Sequence, residues 1–471
     1  MATSDRSGPR VLLGAALVLA LAACGPMPPE TPDRPSSALS VTSSALVLVD
    51  VDGSGMGLRG RLVDPRTLSD VAGKPVLSFG HNYTAVTAPD GRTLAAVLWP
   101  GGSANRGGVL HLFDLASWTD RATAVTFDDH VSQLFFAPDG RQLYWVRPGP
   151  MAGEPMMNPD PGVYRYDLAS DSQSRVAELP AAFLPLSAAL AGERLAIVGW
   201  TTGGKIGPSR NTEVYVVDLR GGTVVKLELG GVRAGQVQDL AAFDDVRNVM
   251  PAVAWDLPRG RAFVVDAEQD RVAIVDFASA TVRGPTAIRP RRSLVDRILD
   301  LISTPAAAKA QASTQRVAVV SADGRRLYVS GLRIDLPSAD REGNVTPLDL
   351  LAVDTMDLAE IGRMDVAGTD LALTHDGQRL LILTNRFPTG QPWTDYELRL
   401  IDAQRLTSLA SLPLEGRGRI LGLSADGDVV YVNAMRDDWA LTIVRRVSVA
   451  DLTVLGRREL ERHFGGLLGS P

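Results

Sequence analysis

Along the chain, apolar residues alternate with polar ones in short runs separated by compact polar turns, the period-two pattern of half-buried strands. The turns repeat. Five copies read Ala88-Pro89-Asp90-Gly91, Ala137-Pro138-Asp139-Gly140, Ser321-Ala322-Asp323-Gly324, Thr374-His375-Asp376-Gly377 and Ser424-Ala425-Asp426-Gly427, each with an apolar residue three positions after its glycine. Two degraded copies centre on Gly192, followed by Leu195, and on Gly260, followed by Phe263. Asp before Gly suits a tight hairpin, because glycine takes positive φ without steric cost. Each copy therefore predicts a strand, a turn and a second strand.

A second element recurs downstream of each hairpin, an apolar alternation ending in aspartate, as in LHLFD to Asp114 and VYVVD to Asp218. The aspartates are Asp64, Asp114, Asp167, Asp218, Asp276, Asp354, Asp402 and Asp451, spaced by 50, 53, 51, 58, 78, 48 and 49 residues. That is the period of four-stranded propeller blades, with strands A to D, an A-to-B turn and a C-to-D turn opened by the aspartate. A side-chain acceptor for turn amides is the role expected of these carboxylates, rather than catalysis.

Seven A-to-B turns accompany eight aspartates, and the chain ends resolve the mismatch. Residues Phe464 to Pro471 resemble an innermost strand such as Ile420 to Ser424, cut off where Asp-Gly would follow, and Leu46 to Val51 resembles its partner. The expectation is an all-β chain forming a single β-propeller over residues 45–471. Eight blades are expected, with seven as the alternative, and the ring is closed by pairing of the N- and C-terminal strands. Such closure removes open sheet edges.

Strands that end in Tyr328-Val329-Ser330, Tyr431-Val432-Asn433 and Leu383-Thr384-Asn385 make the repeats resemble the bacterial YVTN and lactonase-like β-propellers, and the Asp-Gly turns are also similar to WD40-like ones. The resemblance covers residues 45–471. It implies the fold but no single activity, since such propellers include enzymes, binding proteins and assembly factors.

The N-terminus reads as an export signal. Arg6 and Arg10 precede an apolar run from Val11 to Ala22, too short to span a bilayer, and the run ends in Leu21-Ala22-Ala23-Cys24. This resembles the bacterial lipobox, which implies a signal peptide over residues 1–23 and lipidation of Cys24, the only cysteine. The mature chain would be anchored to the membrane through that lipid. Gly25 in place of Asp favours the outer membrane over the inner, facing the periplasm or the cell surface. Residues 24–44, with five prolines after Cys24 and several serines, have little to bury and are expected to form a tether.

The two ends of the expected disc differ. The A-to-B and C-to-D turns share one end and are tight. The other end collects long connections such as Pro100 to Gly108, Arg147 to Gly162, Thr201 to Asn211, Arg333 to Pro347 and Arg386 to Tyr396. Long loops gathered at one end suggest a working surface, and Met156, Met157, Trp393, Tyr396 and Trp439 are its candidate contact residues. The longest spacing includes Ser293 to Ser303, with Leu294, Ile298 and Leu301 on one helical face, preceded by Arg289, Arg291 and Arg292.

Composition changes little in this picture. With 48 basic and 54 acidic side chains the net charge is −6, which argues against a nucleic-acid partner. His81, His111, His130, His375 and His463 show no zinc-helix spacing, and no hydrolase elbow, phosphate loop or haem motif occurs. No cofactor is expected. Asp50-Val51-Asp52-Gly53-Ser54-Gly55 offers oxygen ligands like a calcium loop but lacks the later bidentate Glu, and reads more simply as a turn. The expected function is a membrane-anchored binding or scaffold module of the cell envelope, with an envelope protein or glycan as partner. The alternative is a lactonase-like hydrolase with a metal-assisted site at the channel mouth, assembled from several blades.

Overall fold

A computed structural model of the chain describes residues 40–41, 46–51, 57–80, 82–99, 107–127, 131, 133–149, 160–201, 210–238, 246–290, 312–335, 344–386, 395–436, 441–461 and 464–469. The repeated turns build its hairpins. At all seven A-to-B turns the glycine has positive φ, between 59° and 76°. In the five Asp-Gly copies the aspartate also accepts the backbone N–H two residues on, at 2.8–3.2 Å.

Two further antiparallel strands continue each hairpin, so the described strands group into eight four-stranded meanders. Blade 1 comprises Phe464–Gly469, Leu46–Val51, Leu58–Val63 and Leu77–Gly80; blade 2, Asn82–Thr87, Thr93–Trp99, Gly108–Asp114 and Thr119–Phe127. Blade 3 comprises Gln133–Phe136, Gln142–Arg147, Gly162–Asp167 and Ser172–Glu178; blade 4, Phe183–Ala191, Arg194–Thr201, Arg210–Asp218 and Val224–Gln238. Blade 5 comprises Ala252–Asp256, Arg261–Val265, Arg271–Asp276 and Thr281–Ala287; blade 6, Ala312–Val320, Arg326–Asp335, Asn344–Asp354 and Glu360–Met364. Blade 7 comprises Asp370–Leu373, Arg379–Arg386, Asp395–Asp402 and Thr407–Leu414; blade 8, Arg417–Ser424, Val429–Met435, Leu441–Ser448 and Val454–Glu461.

Strand alternation sends one set of side chains to the preceding blade and the other to the next. In blade 7, Leu380 and Ile382 pack toward blade 6 while Leu381 and Leu383 pack toward blade 8. Eight apolar clusters result, each shared by two consecutive blades. One of them joins Tyr431 and Val444 of blade 8 to Leu46, Leu48 and Val63 of blade 1, so the apolar packing closes on itself. The expected splice is present: Leu46, Val47 and Leu48 pair antiparallel with Gly469, Leu468 and Leu467. Each fully buried leucine there contributes roughly 1.5–3 kcal/mol of apolar burial.

Three features differ from the sequence reading. In blade 8 the C strand ends at Ser448, which takes the place of the aspartate, and Asp451 lies three residues further on within the turn. The fourth residue after the strand end marks the register, since it has positive φ in every C-to-D turn, and here it is Leu452. Second, Ser40–Val41, expected in the tether, pairs in parallel with Leu423 and Ser424 along the inner edge of blade 8. Third, the outer strand of blade 4 runs on past its blade and returns through Val246–Met250, which pairs in parallel with the inner edge of blade 6 at Val249↔Thr314. The expected helix over 293–303 lies outside the described residues, as do Arg291 and Arg292.

Candidate functional site

At the tight-turn end, the polar groups of the repeat are already bonded. Asp64, Asp114, Asp167, Asp218, Asp276, Asp354 and Asp402 each accept backbone N–H groups two or three residues on, at 2.6–3.2 Å. Those amides hold the carboxyls of Asp114, Asp167, Asp218, Asp276 and Asp402 below the usual carboxylate range. Two residues after the A-to-B glycine, an arginine can reach the next blade. Arg194, Arg326 and Arg379 donate from Nη1 to the carbonyls of Phe277, Ala403 and Val449, at 2.6, 3.4 and 2.7 Å.

The tyrosines of the YVTN-like strands do the same. Tyr328 Oη donates to the Ala403 carbonyl and Tyr431 Oη to the Pro65 carbonyl, both at 2.9 Å. Burial pushes both phenol pKa values up. The polar residue closing that motif is structural too: Ser330 Oγ accepts the Gly368 N–H at 2.9 Å, and Asn433 Oδ1 accepts the Arg419 N–H at 2.8 Å. The motif therefore ties blades together.

One departure interrupts this regular end. The two degraded A-to-B turns belong to neighbouring blades 4 and 5, and between them lies a shallow cavity of about 330 Å³, lined by Ala191, Glu193, Arg194, Gly260, Phe277 and Ala278. Glu193 forms an ion pair with Arg220 at its rim. The sequence carries a signal for this cavity, since the two irregular turns, at Gly192 and Gly260, fall in consecutive repeats.

The opposite end is organised by ion pairs and side-chain-to-backbone bonds that differ from blade to blade. Asp266, 2% exposed, accepts the backbone N–H groups of Arg233, Glu268 and Gln269 at 2.7–2.9 Å, which ties the extended strand of blade 4 to the short B-to-C turn of blade 5. Arg316 on the inner strand of blade 6 donates to Asp270 Oδ1 at 2.7 Å and to the Ala267 carbonyl at 3.2 Å. Arg363 completes the set by bonding Glu360 and Asp349, and these carboxylates raise its pKa. In blade 1 the Asp50 carboxylate faces Arg59 at 3.1 Å and Arg61 at 3.3 Å. Asp50 is thus engaged by two guanidinium partners, and residues 52–56 of the same stretch lie outside the described residues.

Of the sequence-nominated contact residues, Cys24, Met156, Met157, Trp393 and Trp439 lie outside the described residues. Tyr396 is a correction. It sits in the strand Asp395–Asp402, 6% exposed, within the cluster shared by blades 7 and 8. Its phase explains this, since it alternates in step with Leu398 and Leu400 of the same cluster. Among the described residues no group of three His, Cys, Asp or Glu side chains is placed to hold a metal ion.

No family model and no curated protein sequence matches the chain. Solved structures do. A dihydro-heme d1 dehydrogenase, NirN, aligns at 13% identity over 93% of this chain and 78% of its own, with a TM-score of 0.55. AztD from Citrobacter koseri aligns at 11% identity over 90% and 96%, with a TM-score of 0.49. An oligogalacturonate lyase from Vibrio parahaemolyticus aligns at 10% identity over 84% and 95%, with a TM-score of 0.42. At such identities the likeness is one of fold, and the fold is the β-propeller.

Proposed function

We propose that the chain is a lipid-anchored binding module of the bacterial cell envelope, held at the outer membrane through Cys24, that offers the long-connection end of its propeller to an envelope protein or glycan. One observation carries this reading. The polar groups of the repeat are consumed at the tight-turn end by bonds within and between blades, whereas the long connections gather at the other end, which leaves that end free to vary.

Two added strands weigh against the rival hydrolase. Val246–Met250 lies along the inner edge of blade 6 at the long-connection mouth, and Ser40–Val41 along the inner edge of blade 8 near the other mouth. Both take space that a channel-mouth reaction site would use. Met156, Met157, Trp393 and Trp439 remain the proposed contact residues; Tyr396, being buried, is not among them.

Cells expressing Cys24→Ser should release the protein from the membrane fraction. Trp393→Ala combined with Trp439→Ala should lower capture of the partner by at least about tenfold with an unchanged melting temperature. Chelator-sensitive lactone or ester hydrolysis by the purified chain would instead establish the rival.

A further inference from the structure

The large apolar side chains left exposed include a row at one corner of the disc. Met356 is 76% exposed in the C-to-D turn of blade 6, Leu409 is 53% exposed near the start of the outer strand of blade 7, and Val454 and Leu455 are 40% and 45% exposed at the start of the outer strand of blade 8. Met356 lies in a C-to-D turn and the other three follow one, so all four share the tight-turn end and the outer circumference on three consecutive blades.

Two of these positions are built the same way. In blade 7 the ladder passes from Ile401↔Ser408 to Leu400↔Ala410, which makes Leu409 the extra residue of a bulge. In blade 8 it passes from Val447↔Val454 to Arg446↔Gly456, which makes Leu455 the extra residue. A bulge re-aims a side chain away from the pleat of its strand, and here it turns a leucine outward in each of two neighbouring blades. Arg405, whose side chain is 80% exposed and pairs with Asp402, lies four residues before Leu409, and Arg457, 47% exposed and paired with Glu459, two residues after Leu455. Apolar side chains interspersed with guanidinium groups at one level match the water–lipid interface, where the alkyl groups enter the acyl boundary and the cations meet phosphates.

The chain upstream joins the disc at the same end, on the inner edge of blade 8. Leu46 pairs with Gly469 at the tight-turn end of blade 1, and Ser40–Val41 lie beside Leu423 and Ser424, the last residues of the inner strand of blade 8. Only 15 residues separate Cys24 from Ser40. A lipid on Cys24 would therefore hold the tight-turn end, on which these side chains lie, toward the membrane.

We infer that Met356, Leu409, Val454 and Leu455 form a lipid-contact corner, which seats the propeller on the membrane surface by blades 6–8 and points the long-connection end away from it. The inference rests on the lipid anchor of the proposed function. It accounts for exposed leucines at bulges that would otherwise cost solubility, and for their position at the end of the disc that the upstream chain joins.

The test uses the full acylated chain on vesicles of phosphatidylethanolamine and phosphatidylglycerol with brominated acyl chains, carrying a thiol-linked environment-sensitive dye at Leu409→Cys or at Glu178→Cys. Glu178 ends the outer strand of blade 3, at the other end and across the ring. Dye at 409 should be quenched several-fold more than dye at 178. Equal quenching, or stronger quenching at 178, would overturn the inference. Flotation of the unlabelled acylated chain reads the anchor separately. If it does not float, the anchor reading fails, and the same two labels on the Cys24→Ser chain at high lipid still decide the corner by the same criterion.

Discussion

The two ends of this disc are made from the same strands, yet they use polar chemistry in opposite ways. At the tight-turn end, short connections repeat one solution eight times. A strand-terminal Asp, or Ser448 in blade 8, opens the turn and the fourth residue after it takes positive φ, and in blades 4, 6, 7 and 8 Arg or Tyr side chains also bridge to the next blade. At the long-connection end no two solutions match: Asp266 gathers three amides, Arg316 and Arg363 share acids across blades 5 and 6, and Asp50 holds two arginines. Repetition marks the end that holds the ring together, and divergence marks the end that we propose meets a partner.

The strongest way to break this comparison is at the closure. Leu48→Ala removes a fully buried side chain from the cluster between blades 8 and 1, and should cost about 2–5 kcal/mol in urea unfolding. A loss below about 1 kcal/mol would mean that the ring does not depend on its splice.

The turns themselves give a test with opposite signs at one backbone position. Trp118 and Ala280 both have positive φ at the fourth residue of their C-to-D turns. Trp118 is buried and its indole N–H donates to the Pro75 carbonyl at 2.7 Å, so Trp118→Gly should destabilise by about 3–5 kcal/mol. Ala280→Gly relieves the left-handed conformation of a small side chain and should instead stabilise by about 0.5 kcal/mol. If both changes destabilise, side-chain burial is not what separates them. Between these extremes, Tyr431→Phe removes one inter-blade hydrogen bond and should cost about 1 kcal/mol.

The ring was largely legible in the sequence because a repeat states each rule several times. Asp-Gly turns and terminal aspartates set the period, and the cut strand at Phe464 set the closure. The eighth aspartate misled because Asp451 sits near the expected spacing, while Ser448, a weaker acceptor, takes the turn amide. Tyr396 misled because its loop position outweighed its strand phase. The arginine bridges were invisible because a single residue after Gly does not show what it touches in the next blade. The added strand Val246–Met250 pairs with residues more than sixty positions away, a separation that periodicity cannot report.

The smallest expected effect concerns pH. The carboxyls of Asp167 and Asp218 titrate below their unfolded values, so the stability they supply is complete above the ordinary aspartate range near pH 4 and is lost as pH falls through the depressed folded values. Asp167→Asn with Asp218→Asn keeps an acceptor oxygen without the charge. It should flatten the acid limb of a stability–pH curve and leave the neutral plateau nearly unchanged. An identical acid limb would show that these bonds supply no linkage.

The central claim is that the long-connection end is the working surface, and in-cell photo-crosslinking tests it whatever the identity of the partner. A photoreactive side chain would be placed in the full acylated chain at Trp393 or Trp439, and for comparison at Asp139 in the A-to-B turn of blade 3. Discrete protein or glycan adducts from 393 or 439 and none from 139 are the predicted result. Adducts confined to 139 would contradict the assignment and move the working surface to the tight-turn end.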